Sequence, residues 1–321
     1  MYKVLIVLFY IAVFVVFPNK TNAAGISLGV FPPVIHIEIQ PPASITSPIT
    51  IENYGDQAVS LDILFKPFVA KNEDGEVSYI AQNETMQGEN PLIFQEMQVL
   101  DNGHRVNNIT LSPGQQKTLN LHIGIPKEET LSDYYFSILF VSQTASGETL
   151  NNSQNLGGIA TNVLLSIGPK GEAKGIIQEF SSPFFAEKGP VPFNVRVKNT
   201  GSHLITPQGT ILIKNMFGQT VGKVNLLPVN ILALSTRAIP DSLQSPDSTP
   251  SSTINPRVAY WPENFILGPY TATLTIALSD KGPLFTRTTY FVGFPLQTLI
   301  GLLLILFVLV FIRDRLKNRL N

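Results

Sequence analysis

The chain has 321 residues, a formal net charge of −1 and 44% hydrophobic residues. That balance leaves no electrostatic footprint for nucleic acid or another strongly charged polymer. Cysteine is absent, which excludes disulfides, thiolate zinc sites and a lipidated cysteine anchor, so burial of apolar surface must hold the fold together.

Residues 1–24 have the form of a secretory signal. Lys3 supplies a positive start, residues 4–17 are an unbroken apolar run, and Pro18 interrupts it. Thr21-Asn22-Ala23-Ala24 then offers small residues for cleavage after Ala23 or Ala24. The run is shorter than the roughly 20 residues that span a bilayer. An uncleaved N-terminal anchor is the alternative.

From about residue 25 onward the apolar period is two. Leu61, Ile63 and Phe65 alternate with polar neighbours, as do Leu119, Leu121 and Ile123. Val191, Phe193, Val195 and Val197 alternate with Pro192, Asn194, Arg196 and Lys198, and Leu274, Ile276 and Leu278 follow the same rule. Such alternation makes strands with one face on a core and one in water. Proline and glycine total 47 residues, which serve as turn punctuation between the runs. The pattern predicts an all-β fold of two tandem immunoglobulin-like β-sandwiches, at 25–169 and 172–292, joined near Gly168-Pro169-Lys170-Gly171. Residues 241–255 hold five Ser, two Thr and two Pro and read as a mobile loop.

The two halves echo each other. Ile49-Thr50-Ile51-Glu52-Asn53-Tyr54-Gly55 resembles Val195-Arg196-Val197-Lys198-Asn199-Thr200-Gly201. In each, a strand ends in Asn-x-Gly, residues that tolerate the positive φ of a tight turn. One sandwich used twice explains the echo, and coincidence is the alternative.

At the far end, residues 290–312 carry no charge and form a predicted transmembrane helix. Tyr290, Phe291 and Phe294 stand where an aromatic belt would lie. Arg313, Arg315, Lys317 and Arg319 sit in the tail 313–321 against Asp314, and cations there favour the cytoplasmic side. The expected topology is N-terminus outside, C-terminus inside, single-pass in a cell membrane, with most of the chain extracellular.

No catalytic constellation assembles. There is no Gly-x-Ser-x-Gly, no His-Glu-x-x-His and no phosphate loop. His36, His104, His122 and His203 lie far apart and are expected to face solvent, His36 and His122 from the polar faces of strands. Asn72-Glu73-Asp74-Gly75-Glu76 lacks calcium-loop spacing and reads as a hairpin turn with Gly75 at positive φ. Tyr260 and Trp261 are the candidate binding residues, forming either an exposed aromatic platform for glycan or part of the core. Phe184-Phe185 carries the same two readings, exposed aromatics or packed ones, with packing against the first sandwich the expected one. The reading is a non-enzyme without cofactor or metal.

Three segments carry a family resemblance: residues 49–55, residues 72–79, and Leu111-Ser112-Pro113-Gly114 leading to Ile123-Gly124-Ile125-Pro126. The first domain resembles the DUF916-like domain of the WxL-interacting protein family of bacterial cell-surface proteins. The layout of signal, two sandwiches, membrane helix and basic tail is also similar. The chain departs at residues 131–136, where Leu-Ser-Asp-Tyr-Tyr-Phe stands in place of an early Gly-Gly-Ile. The resemblance implies peptidoglycan binding by the first domain and binding of partner surface proteins by the second, with neither role assigned to particular residues. The expected function is a membrane-anchored scaffold tethering cell-wall polymer or another surface protein. The alternatives are an accessory subunit of a membrane-bound secretion or pilus-assembly complex, and an enzyme with a dispersed site.

Overall fold

The computed structural model describes residues 27–80, 96–129, 131–142, 157–169, 173–242, 257–279 and 282–320. The expected signal, residues 1–24, lies outside the described residues.

The first half contributes β1 (Leu28–Phe31), β2 (Val34–Ile39), β3 (Ala43–Asn53), β4 (Val59–Ala70), β5 (Val77–Tyr79) and β6 (Met97–Asp101). It continues with β7 (His104–Arg105), β8 (Asn108–Leu111), β9 (Gln116–Ile125), β10 (Asp133–Ser142) and β11 (Gly158–Ile167). One sheet runs β1-β3-β9-β6-β7. The other runs β2-β11-β10-β4-β5, with β8 also beside β4. The core lies between them. Ile49 and Ile51 of β3 and Leu119, Leu121 and Ile123 of β9 meet Leu61 of β4 and Phe136, Ile138 and Phe140 of β10, all fully buried. The period-two alternation places each of these side chains inward.

The second half holds β12 (Gly175–Ser181), β13 (Phe185–Ala186), β14 (Val191–Asn199), β15 (Gln208–Asn215) and β16 (Thr220–Asn225). Next come β17 (Thr236–Ala238), β18 (Ala259–Trp261), β19 (Gly268–Ala277) and β20 (Leu284–Gly293). Its sheets are β12-β14-β17, with β18 also on β14, and β13-β20-β19-β15-β16. A second core fills the space between them, built on Val191, Phe193, Val195 and Val197 facing Ile211, Ile213, Leu274 and Ile276. The strands of the two sandwiches divide between Ile167 and Gly175.

Helix α1 (Leu296–Leu320) follows β20 directly. The helix expected from Tyr290 therefore starts later. Tyr290, Phe291, Val292 and Gly293 pair with β19 in register. Phe291 is buried and stacks on Tyr270 with ring centroids 5.1 Å apart. The apolarity of this segment belongs partly to the sandwich core, which is why it merges with the helix in the sequence pattern. Pro295 sets the break, and its carbonyl accepts the first helical bond, from Leu299 N–H at 3.0 Å. The described residues of α1 at 299, 300 and 303–312 are all exposed hydrophobics. Among the residues whose side chains are described, no helix is long and apolar enough to cross a membrane.

The Asn-x-Gly echo has a structural basis different from positive φ. Neither Asn53 nor Asn199 is among the described residues with positive φ. Both are buried plugs. Asn53 Nδ2 donates to the Gln57 carbonyl at 2.7 Å and to the Leu111 and Ser112 carbonyls at 3.2 Å, while its Oδ1 accepts from Gly55 N–H at 2.9 Å. Asn199 Nδ2 donates to the His203 carbonyl at 2.8 Å and the Ile231 carbonyl at 3.1 Å, and its Oδ1 accepts from Gly201 N–H at 2.9 Å. Each amide satisfies backbone groups that a buried turn would otherwise leave without partners.

Candidate binding site

The two sandwiches are fastened along a seam that the alternation pattern did not reveal. Strand β10 is apolar on both faces at Tyr134-Tyr135-Phe136, and β11 at Val163-Leu164-Leu165. Tyr134, Phe136, Val163 and Leu165 enter the first core. Tyr135 and Leu164, which pair in register, point the other way. With Phe68 they form a separate cluster that packs against Leu204 and Leu232 of the second sandwich. The Phe68 and Tyr135 rings stack with centroids 6.3 Å apart.

A polar latch rims this cluster. The Asp133 side chain is 1% exposed. Its Oδ1 accepts from His203 Nδ1 at 2.8 Å, and its Oδ2 accepts from Tyr135 O–H at 2.6 Å and from the Leu204 backbone N–H. The Tyr135 oxygen in turn accepts from Ala233 N–H at 3.2 Å. Burial, with the Asp133 charge second, pushes the Tyr135 phenol far above its ordinary value. His203, expected to face solvent, is instead a seam residue. His36 is exposed, but its ring Nε2 meets Asn230 Nδ2 of the second sandwich at 2.8 Å. His122 is half-exposed on its strand, near the Ser44 and Thr46 hydroxyls. His104 is exposed.

The acidic hairpin between β4 and β5 completes the seam. Gly75 has φ +84 as expected, and Asn72 Oδ1 accepts from the backbone N–H of Asp74 and Glu76. The acids then reach across to the second sandwich. Glu73 pairs with Arg196 at 2.9 Å and Asp74 with Arg257 at 2.9 Å, while the Glu73 carbonyl accepts from Ala238 N–H at 2.8 Å. Glu76 turns back to Lys71, whose ammonium holds its carboxyl below the usual range. A side chain at Gly75 would meet the Arg237 guanidinium. Arg237 donates to the Asn230 carbonyl at 2.6 Å, and partial burial lowers its pKa from the usual guanidinium value.

Beside the latch, the elbow encloses a cavity of about 300 Å³. Phe68, Val77, Leu164 and Leu232 give it apolar walls, and Glu76, Asn162, Asn230 and Arg237 give it polar groups. A few polar groups on apolar walls are what a small ligand, or a side chain of a larger one, requires. Among the described residues no group of three or more His, Cys, Asp or Glu could hold a metal.

The residues singled out from sequence lie elsewhere. Trp261 is 5% exposed and belongs to the second core, edge-on to Tyr270 at 5.5 Å and to Phe291 at 6.1 Å. Gly222 sits against its indole so closely that a Cβ would fall 2.3 Å from Nε1. Of the two readings of Trp261, the burial of its side chain matches the core one. Tyr260 is half-buried, and its N–H donates to Asp241 at 2.7 Å. Asp241, read as the start of a loop, is 2% exposed, and positions 243–255 lie outside the described residues. Phe184 and Phe185 do not pack on the first sandwich. They are 76% and 43% exposed, beside Val292 at the end where α1 departs.

No family model matches the chain, and no curated protein matches it. Solved structures with some likeness include a chaperone–tip adhesin complex of CFA/I fimbriae (13% identity, 82% of this chain and 98% of that chain, TM-score 0.38). They also include the class 5 fimbriae chaperone CfaA (12%, 83% and 99%, 0.37) and the E. coli chaperone DraB (12%, 82% and 98%, 0.36). At these scores the likeness carries no argument about this chain.

Proposed function

We propose that this chain is a membrane-anchored, extracytoplasmic binding scaffold: a rigid arm of two sandwiches that holds a partner surface protein or cell-wall polymer at its elbow. The observation that carries the reading is the contrast between α1 and the rest of the described chain. The sandwiches bury their apolar faces in two cores and a seam, whereas α1 presents apolar side chains all around. A helix apolar on every side requires a non-aqueous surrounding, and the basic residues from 313 onward suit the cytoplasmic face. The seam supports the scaffold role, because a ligand held at the elbow contacts two domains whose mutual orientation is fixed.

The full chain in nanodiscs tests this against purified cell-wall sacculi and against extracellular proteins of the same cell. The wild type should retain one of the two, and Ala70→Trp, at a half-buried residue that lines the elbow cavity and belongs to neither core, should lose it. Retention of neither, or equal retention by the variant, would overturn the reading.

A further inference from the structure

The second sandwich has two ends of different character. Strand β14 runs from Val191, paired with Trp261, to Asn199 at the seam. The end holding Val191 is the base from which α1 leaves. There β19 begins at Gly268, opposite Gly293, the last residue of β20. Ile266 is buried directly under Gly293, and its neighbours Phe265 and Leu267 are 63% and 55% exposed. Met216 reaches Gly268 from the β15–β16 turn. It is 63% exposed, and Phe217 beside it is 76% exposed. Phe184 and Tyr290, 76% and 66% exposed, flank Met216 around one shallow hollow. Three separate loops and one strand thus converge on the helix exit with large apolar side chains facing water.

We infer that this base is a bilayer-docking surface, and that Phe184, Met216, Phe217, Phe265, Leu267 and Tyr290 insert into the interfacial layer of the membrane around α1. The inference rests on the anchored reading above and deepens it. Single exposed hydrophobics are ordinary, but a contiguous set this large marks an interaction surface. Its occupant follows from the chain itself. Only Phe294 and Pro295 separate Gly293 from the first residue of α1, so a bilayer that holds the helix must lie against this end of the sandwich. Aromatic and long apolar side chains at the boundary of hydrocarbon and headgroups are stable there. The aromatic belt expected on the helix is in this way supplied mainly by loops of the second sandwich. Docking at several points would fix the tilt of the arm, which one helix with a two-residue link could not do alone.

The absence of cysteine permits a direct test with the full chain in liposomes. Single variants Phe217→Cys, Phe265→Cys, Leu306→Cys and Gln115→Cys are labelled with an environment-sensitive fluorophore and quenched by lipids spin-labelled at shallow or deep acyl positions. All four sites are exposed, so the label does not enter a core. Deep quenching at 306, shallow quenching at 217 and 265, and none at 115 are expected. Deep quenching at 306 with none at 217 and 265 would overturn the docking surface and leave the anchor standing. No quenching at 306 would overturn the anchored reading, and the docking surface with it.

Discussion

The two sandwiches share a construction and differ in what covers their outsides. Each closes a turn with a buried asparagine, Asn53 in one and Asn199 in the other, that donates to the carbonyl four residues on and accepts from the N–H two residues on. Each has a core of alternating strand residues. The first, however, carries apolar side chains on the outer face of β10 and β11, and the second sandwich covers them. The second carries a group of exposed apolar side chains at the opposite end, beside α1, where no described protein element covers them. The difference gives the arm a direction, in which one apolar surface is covered within the chain and the other is exposed beside α1.

The comparison breaks most readily at the latch. Asp133→Ala leaves the Tyr135 hydroxyl, His203 and the Leu204 N–H without their shared acceptor and should cost about 3 kcal/mol. Denaturant unfolding followed in each sandwich should then separate into two transitions where the wild type shows one. The asparagine plugs come next. Asn53→Ala and Asn199→Ala should each cost about 2 kcal/mol, because buried carbonyls and a glycine N–H lose their partner. Similar losses would confirm that the echo is one device used twice, and a large loss in one with none in the other would break the equivalence.

Smaller effects sharpen the picture. Tyr135→Phe should cost about 1 kcal/mol. The folded pKa of Tyr135 is raised above the unfolded value near 10. Its stabilising contribution is therefore complete below about pH 10 and is lost as pH rises beyond it, as the unfolded phenol ionises while the folded one does not. An alkaline stability scan should show this decline in the wild type, and the phenylalanine variant should lack that component. Glu73→Gln should cost roughly 0.5 kcal/mol or less, since the pair with Arg196 is over a third exposed on both sides and water screens it.

What the sequence makes legible follows from the physics of each feature. A strand with one buried face must alternate, so the inward face of Val191, Phe193, Val195 and Val197 is readable from their spacing alone. The seam breaks that rule. Tyr135 and Leu164 interrupt the alternation of β10 and β11, and apolarity on both faces is the mark of a strand covered on both sides. Glu73 and Asp74 are visible as an acidic turn, but their arginine partners lie more than 120 residues away and alternation along a strand says nothing about such pairings. Phe291 reads as part of the helix because a core strand running straight into an apolar helix leaves no polar boundary between them. Asn53 and Asn199 stand out as a motif, yet their role depends on carbonyls brought near only by the fold.

The central claim is that the seam makes the two sandwiches one rigid arm. Spin labels at Gln115→Cys on the first sandwich and Phe217→Cys at the base of the second measure it directly, by the distribution of distances between them in the full chain. A single narrow distribution is expected, broadening when Asp133→Ala is added. A broad distribution in the wild type, unchanged by that substitution, would contradict it.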